Sequence, residues 1–505
     1  MTRRWALGLV VALSLATHAI GLLAPPLDYH FHRQVNTAAI ARNYAENGRH
    51  FFTPQIDWAG AYRGRAATEF PLYMWLVGVL WPALGLGVAW GRVLSALFSA
   101  LSAVYLFLFL ERRFSFEEAL ASACLFSLIP VEIYFGRTVQ PEALALAATL
   151  GAFYHWDRFL DEDRALDWAL AIFGAFLAIA HKLPYAYALL TLAALAYAKR
   201  GWAAFSRPLV LAAAPLCAAL VYAWYKFAST GAYVVPTNAG EFSSLLHYKF
   251  FYVQFQFASR LPELGATWAG MALAVPGAWI LWRRRERFLH AWWTTVALYI
   301  IAGGAYTFYH EYTSLPFAPV MAAFMGAGLV AGWRRAKALP RPAVQRALLA
   351  LLVLSMPVMS FFRIKHWYNQ NFPFLARAQA AADSVSKPDD LFLCNQRATS
   401  VYLYEMRRRG WSFGFADSGT AWLPPVEKAI KDGARFFATA AENYTPEYRA
   451  WFDARYPKVY DDGAFLIYKL ERKPVDEGPP IARMPPHGVA PQAPQAPVRF
   501  YLKGR

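Results

Sequence analysis

Residues 92–110 read RVLSALFSALSAVYLFLFL, an apolar run whose single charged side chain stands at its first position. A helix of about 20 mostly apolar residues rises about 30 Å, which is the thickness of the hydrocarbon core of a bilayer. Ten similar runs lie near Trp5–Leu23, Glu118–Phe135, Pro141–Trp156, Ala165–Ala180, Pro184–Ala198, Pro208–Tyr225, Leu264–Trp282, Leu289–Tyr306, Tyr312–Trp333 and Val344–Phe362. The sequence therefore predicts an α-helical polytopic membrane protein.

The composition of the 505 residues agrees with this class, since 57% are hydrophobic and only 16% are charged. Soluble globular proteins carry about 45–50% apolar and about 25% charged residues, which excludes an ordinary soluble enzyme. The three cysteines are too few and too scattered for a disulfide framework or a thiolate metal site. In so hydrophobic a chain, the net charge of +17 indicates basic cytoplasmic loops and not a nucleic-acid partner.

The apolar segment Pro71–Ala89 is interrupted by Pro82 and three glycines. If this segment does not cross the membrane, most of the basic residues of the short loops fall on the cytoplasmic side, as the positive-inside rule requires. We therefore interpret it as a re-entrant element, a juxtamembrane element or a pair of short helices. The chain is then expected to have about 11–13 spans, with its N-terminus inside and its C-terminus outside.

The sequence predicts three regions. Residues 1–365 form the transmembrane domain, whose long outer loops are residues 24–70 and 226–263. Residues 366–472 alternate strand-like runs with helical patterns, which predicts a small extracytoplasmic α/β domain of accessory function. The strand-like runs are Asp390–Cys394, Arg435–Ala438 and Ala464–Leu470. Residues 473–505 are rich in proline and are expected to form a flexible tail. Long outer and short inner loops place the functional site on the outer face of the cytoplasmic membrane.

The first outer loop carries most of the candidate site residues. It begins with Asp28, His30, Arg33 and Gln34, directly after the first span, and it ends with Glu69. Any one of them is readily explained as an interfacial polar residue that solvates a loop. The segment between these residues, 35–47, is amphipathic and is expected to lie along the membrane surface.

Further candidates lie in the short outer turns, on the same predicted face. They are Arg137, Glu142, His181, Lys182 and His310. Two structural explanations remain open, because the helix dipole favours an acid such as Glu142 in the first turn of a helix, and Lys182 can extend to the interface simply for solvation. The coincidence of all these groups on one face favours a functional site.

This set of groups suits the transfer of a sugar from a polyprenyl phosphate, a lipid whose head group is processed at the interface. A carboxylate such as Asp28 takes the proton of the attacking acceptor hydroxyl. Cations such as Arg33, Lys182 and Arg137 stabilise the departing lipid phosphate. No cofactor is required, because the phosphate leaving group is already activated. The expected partners are the donor, membrane lipid and an acceptor glycan, lipid or protein.

Five motifs carry a family resemblance: DYHFHRQ at 28–34, EFPLY at 69–73, GRTVQPEALAL at 136–146, AHKLPY at 180–185 and HEYTSLPFAP at 310–319. In this order they resemble the GT-C membrane glycosyltransferases. The likeness is to the bacterial group related to protein O-mannosyltransferases and aminoarabinose transferases. The resemblance covers about residues 1–365.

The resemblance implies an inverting transfer in which Asp28 is the catalytic base. Glu69 matches an acidic position that helps to bind a divalent metal in some relatives. The second acidic position of the family falls near Glu142, although Gln140 aligns almost as well. Lys182 resembles a lysine placed for the donor phosphate.

Two other functions share this architecture. A transporter or flippase of lipid-linked saccharides would place ionisable groups or paired repeats near the bilayer midplane. The middles of the predicted spans are nearly free of charge and no internal repeat is visible, which favours the transferase. A glycan ligase or polymerase would differ only in transferring a longer saccharide.

Overall fold

The computed structural model describes residues 2–233, 249–396, 399–415 and 422–471, and its first part is a bundle of helices. These helices are α1 (Arg3–His18), α2 (Phe31–Glu46), α3 (Leu72–Leu80), α4 (Ala89–Glu111), α5 (Phe116–Phe126), α6 (Pro130–Phe135), α7 (Glu142–Glu162), α8 (Ala165–His181), α9 (Tyr187–Arg200), α10 (Pro208–Ser229), α11 (Lys249–Phe255), α12 (Trp268–Arg283), α13 (Phe288–Tyr309), α14 (Phe317–Ala336) and α15 (Pro342–Ile364). A wide π-helical segment, Gln256–Ala266, joins α11 to α12. Part of the second outer loop and all of the predicted tail, 473–505, lie outside the described residues.

Five helices of the described part are long and apolar enough to cross a bilayer, judged by length and composition. They are Ala89–Glu111, Pro208–Ser229, Phe288–Tyr309, Phe317–Ala336 and Pro342–Tyr368. The pair Phe250–Ala266 and Trp268–Arg283 meets the same criterion together, but its two halves are bent by 103°. The prediction of a polytopic helical membrane protein is confirmed, and the number of about 11–13 spans stays a prediction.

The ambiguous segment Pro71–Ala89 contains α3 and a single 3₁₀ turn, Ala83–Gly85. This arrangement corresponds to the pair of short helices that the sequence allowed. Tyr73 of α3 is buried, and its hydroxyl donates to the carbonyl of Gly91 at 2.7 Å. The segment is thereby held against α4.

Glycines allow α12 and α14 to approach each other closely. A Cβ on Gly277 would lie 1.9 Å from the carbonyl oxygen of Phe324, and one on Gly328 would lie 2.0 Å from that of Leu273. Since no real side chain tolerates such distances, the two backbones touch only because both positions lack a side chain. Small residues at helix interfaces are the usual means of packing helices within a membrane.

The C-terminal region is built on a five-stranded sheet in the order β2-β1-β3-β5-β4. Its strands are β1 (Leu391–Asn395), β2 (Arg409–Phe413), β3 (Phe436–Ala440), β4 (Lys458–Asp461) and β5 (Phe465–Lys469). Its helices are α16 (Ala378–Val385), α17 (Val401–Glu405), α18 (Leu423–Lys431) and α19 (Pro446–Arg455). Strand β1 pairs parallel with β2 and β3, whereas β5 pairs antiparallel with β3 and β4. A small α/β sheet region is therefore confirmed.

Helix α2 packs against this C-terminal region and does not lie free on the membrane surface, which corrects the expectation for residues 35–47. Val35 and Ala38 of α2 share a buried cluster with Leu375 and Tyr402. The sequence pattern is amphipathic in either case, so it does not show whether protein or lipid covers the apolar face. The first outer loop thus lies between the helical bundle and the sheet and contacts both.

Backbone hydrogen bonds add to this contact at the edge of the sheet. The amide of Gly60 donates to the carbonyl of Gly410 at 2.7 Å, and the amide of Gly410 donates to the carbonyl of Asp57 at 2.9 Å. Strand β2 is an edge strand, so these bonds satisfy groups that the sheet leaves open. The loop that carries the candidate site residues is therefore fixed on both sides.

Candidate active site

Asp28 lies in the turn between α1 and α2, and its side chain is completely buried. Its Oδ2 is 2.8 Å from Arg137 Nη2, its Oδ1 is 3.1 Å from Arg92 Nη2, and Gln34 Nε2 donates to Oδ1 at 2.5 Å. Burial alone would raise the pKa of Asp28, but the two guanidinium groups and the amide hold it below its ordinary value. The carboxylate is therefore ionised. We call these four residues the arginine clamp.

The clamp fastens the first outer loop to the bundle. Arg92 stands in the first turn of α4, is fully buried and also donates to the carbonyls of Ala24 at 3.1 Å and Pro25 at 2.8 Å. Arg137 comes from the turn between α6 and α7. A charged side chain within a membrane bundle is expensive unless it is paired. Asp28 supplies that pairing for both arginines.

A second group of polar side chains surrounds a cavity of about 370 Å³. The side chains that line this cavity come from α2, the end of the first outer loop, the break after α8, α10 and α13. The lining residues are Arg33, Ala67, Thr68, Glu69, His181, Lys182, Leu183, Pro184, Tyr225, Ala228, Ser229 and Tyr306. We call this space the outer cavity.

Two ion pairs stand at the outer cavity. Arg33 Nη2 binds Glu69 Oε1, and Lys182 Nζ is 2.6 Å from Glu142 Oε1. Burial would raise the pKa of Glu69, but Arg33 and Lys182 lower it below its ordinary value. The cavity thus offers cations, which bind phosphate through charge-assisted hydrogen bonds, beside carboxylates, which accept protons.

One backbone contact brings the two walls of this cavity together. The amide of Phe70 donates to the carbonyl of Ala180 at 2.9 Å, which ties the end of the first outer loop to the last turn of α8. Lys182 follows that helix in extended conformation, and Pro184 lies in the 3₁₀ turn that comes next. The break after α8 therefore directs Lys182 towards the cavity beside Glu69.

A third group is centred on Glu311, in the turn between α13 and α14. Its Oε2 is 2.8 Å from His30 Nε2, and its Oε1 is 3.1 Å from Arg260 Nη2. His30 adopts the left-handed conformation, with φ of 59°, immediately before α2. A non-glycine residue in this conformation persists where its surroundings fix it, and such residues cluster at functional sites.

His310 and Tyr312 connect the third group to the outer cavity. The two rings stack with centroids 5.2 Å apart, and Lys182 Nζ lies 5.0 Å from the centroid of Tyr312. Burial lowers the pKa of His310 to about 4, and the positive charge of Lys182 contributes to this shift. His310 is therefore neutral at physiological pH.

All the sequence-predicted site residues are described, and each belongs to one of these three groups. Asp28, Gln34 and Arg137 belong to the clamp, and His30 and His310 lie in the third group. Arg33, Glu69, His181 and Lys182 line the outer cavity, and Glu142 is connected to it through its ion pair with Lys182. The sequence did not single out Arg92, Arg260, Glu311 or Tyr306. Arg92 had a signal as the only charge in the run 92–110, and Glu311 stands within a quoted motif.

The surroundings of Glu69 do not fit a divalent cation. Such an ion requires several carboxylate or carbonyl oxygens, whereas the nearest charged partners of Glu69 are Arg33 and Lys182. In the described ranges, no three His, Cys, Asp or Glu side chains gather as a metal site would require. That the reaction requires no cofactor therefore stays a prediction.

Comparison with known proteins relates this fold to one class. Residues 68–226 match the family described as dolichyl-phosphate-mannose-protein mannosyltransferase. The fold is similar to ArnT from Cupriavidus metallidurans in the apo state, at 16% identity and a TM-score of 0.62, over 92% of this chain and 97% of that chain. The structure of ArnT bound to undecaprenyl phosphate is also similar, at 15% identity and a TM-score of 0.58, over 93% of this chain and 99% of that chain.

The oligosaccharyltransferase of Archaeoglobus fulgidus is also similar, at 13% identity and a TM-score of 0.58, over 93% of this chain and 74% of that chain. No curated protein matches the chain in sequence. The shared fold is that of the GT-C membrane glycosyltransferases, and the family match covers residues 68–226 of the 505. The chain is a membrane protein with several membrane-spanning helices.

Proposed function

We propose that this enzyme transfers a sugar from a polyprenyl phosphate to the hydroxyl of an acceptor glycan, lipid or protein, at the outer face of the cytoplasmic membrane. The outer cavity carries the proposal, because Arg33 and Lys182 line it together with Glu69, and Lys182 is paired with Glu142. The similarity to an ArnT structure that contains undecaprenyl phosphate supports a lipid-phosphate donor.

The proposed reaction is a single displacement. The acceptor oxygen forms a bond to the anomeric carbon while the bond from that carbon to the phosphate oxygen breaks, and the electron pair leaves with the lipid phosphate. Attack on the face opposite the leaving group inverts the anomeric configuration. Arg33 and Lys182 stabilise the phosphate where negative charge develops, and a carboxylate accepts the hydroxyl proton.

Two carboxylates compete for the role of base. The family resemblance assigns it to Asp28, whereas geometry favours Glu69. A base must approach the acceptor hydroxyl to within about 2.6–3.2 Å. Glu69 lines the outer cavity, but Asp28 is sealed inside the clamp and would require Arg92 or Arg137 to move.

The direct test supplies membranes containing the full-length protein with polyprenyl-phosphate sugars and identifies the products by mass spectrometry. We expect a glycosylated acceptor and free polyprenyl phosphate, and a product of inverted configuration by NMR. Sugar that accumulates in sealed vesicles without covalent change would overturn the proposal in favour of transport. Transfer of longer saccharides would identify a ligase or polymerase.

The two candidate bases are separated by Asp28→Asn and Glu69→Gln in the same assay, with melting temperature as the control for folding. The variant that lacks the base should lose about 10²–10⁴-fold in rate while it remains folded. If both variants transfer sugar at the wild-type rate, neither carboxylate is the base.

The proposed orientation is tested by cysteine labelling of intact cells. Tyr62 in the first outer loop and Arg335 at the end of α14 are both exposed. A membrane-impermeant maleimide should label Tyr62→Cys in intact cells and Arg335→Cys only after permeabilisation. The reverse pattern would place the candidate site on the cytoplasmic side.

A further inference from the structure

A second cavity, of about 600 Å³, lies between the end of α14 that is remote from the candidate site and residues 350–354 of α15. Helix α14 begins next to the turn that contains Glu311 and continues for 20 residues. At a rise of about 1.5 Å per residue, its far end is about 30 Å away. The lining residues of this inner cavity are Glu117, Leu329, Val330, Trp333, Arg334, Lys337, Ala350, Val353 and Leu354.

The inner cavity combines an apolar wall with a basic rim. Arg334 Nη2 is 3.1 Å from Glu117 Oε2, the only acid in the lining. Over the described ranges, Lys337 and Arg346 have no carboxylate partner. The Arg346 guanidinium lies 5.4 Å from the ring centroid of Trp333, and its Nε is buried without a hydrogen-bond partner in the same ranges. The rim therefore carries positive charge that no carboxylate of the described ranges neutralises.

The open side of the inner cavity faces the surroundings of the bundle. The helix Pro342–Tyr368 contains α15, and only 17% of its most apolar part is buried within the protein. The corresponding value for α14 is 72%. Leu351 and Leu354 of α15 are 62% and 66% exposed. In a membrane-spanning helix such an apolar face is in contact with lipid, so hydrocarbon chains have direct access to the cavity.

We propose that the inner cavity binds an anionic phospholipid, with an acyl chain along the apolar wall and the phosphate at Lys337 and Arg346. Charge complementarity selects this occupant, because unpaired cations beside an apolar cavity at a membrane surface match an anionic head group. A zwitterionic phospholipid offers no net negative charge to these two side chains. The site is separate from the transferase reaction.

The test measures phospholipid retained by the full-length protein purified in detergent, by native mass spectrometry after incubation with phosphatidylglycerol or phosphatidylcholine. We expect phosphatidylglycerol to be retained in preference to phosphatidylcholine. Each of Lys337→Ala and Arg346→Ala should weaken retention about fivefold, the equivalent of about 1 kcal/mol per cation. Equal retention of both lipids would overturn the proposal.

Arg287→Ala is the matched control. Arg287 also lies over a tryptophan, 5.5 Å from the ring centroid of Trp282, but Trp282 does not line the inner cavity, whereas Trp333 next to Arg346 does. It should leave retention unchanged. Ala350→Phe changes no charge and fills the cavity, so it should reduce retention while the melting temperature confirms folding. If Arg287→Ala lowers retention as much as Lys337→Ala, or if Ala350→Phe has no effect, binding is a general property of the basic surface and the proposal fails.

Discussion

The arginine clamp and the outer cavity use the same types of side chain in opposite settings. In the clamp, Asp28 and its two arginines are completely buried and satisfy one another. At the outer cavity, the side chains of Arg33 and Glu69 are 29% and 19% exposed. Charges that are sealed and paired hold a fold together, whereas charges that face a cavity remain available to a substrate. We therefore expect clamp variants to change stability and cavity variants to change the reaction rate.

Asp28→Ala should produce the largest effect on stability. It leaves Arg92 and Arg137 buried without their shared carboxylate, and breaking a buried ion pair in this way costs about 3–5 kcal/mol. The free energy of unfolding in detergent measures the loss. Asp389→Ala is the matched control, because Asp389 pairs with Arg63 at the same 2.8 Å but with both side chains exposed, and such pairs contribute about 0–1 kcal/mol. Similar losses in the two variants would contradict the anchoring role of the clamp.

Arg33→Gln should instead reduce the rate of sugar transfer by about 10²–10³-fold, as the loss of a charge-stabilising donor does in other enzymes. The change in unfolding free energy should stay below about 1 kcal/mol, because the pair with Glu69 is partly solvated. Arg49→Gln, at an exposed cation of the same loop, should change neither quantity. A loss of rate that follows a loss of folded protein would assign Arg33 to structure.

The fold could be predicted wherever hydrophobic pattern decides it. The apolar run 92–110 lies within α4, and the predicted strands near 390–394, 435–438 and 464–470 correspond to β1, β3 and β5. Strand β4 was missed because it is an exposed edge strand with no alternation of buried side chains. Strand β2 was missed because its five residues contain Gly410, and glycine is depleted in strands.

The candidate site could be predicted as a set of residues but not as a geometry. Position along the chain placed Asp28, Glu69 and Lys182 on one face. Nothing local shows that Asp28 pairs with Arg137, 109 residues away, because packing of α4, α6 and α7 decides this contact. For the same reason the sequence could not distinguish a sealed carboxylate from one that lines a cavity.

Gly60→Ala tests how far the C-terminal region supports the candidate site. Gly60 has φ of +64°, and a Cβ there would lie 2.6 Å from the ring of Trp411. The left-handed conformation costs a residue with a side chain about 1–2 kcal/mol, and the clash should separate β2 from the loop as well. Gly231→Ala has a similar φ of +63° but no atom within 4 Å, so it isolates the conformational effect. Equal changes in melting temperature would show that this contact contributes no stability.

A smaller effect should appear as a pH dependence next to the outer cavity. The pKa of His310 is lowered to about 4 from the ordinary 6.5, so between these values the unfolded chain binds more protons than the folded one. Stability therefore rises with pH in this window, and acidification from pH 6.5 to pH 5.5 should cost about 1 kcal/mol at this histidine.

His310→Phe keeps a ring to stack on Tyr312 and removes the titration. The melting temperature of this variant should fall less than that of the wild type when the pH is lowered from 6.5 to 5.5, while His50→Phe, at an exposed histidine of the first outer loop, should behave as the wild type. The carboxylates of Asp28, Glu69 and Glu311 do not contribute to the change in stability between pH 6.5 and pH 5.5. Their lowered pKa values give stability above the ordinary carboxylate pKa, and it is lost only in more acidic solution. If the wild type and His310→Phe lose the same stability, the imidazole is not buried as a neutral group.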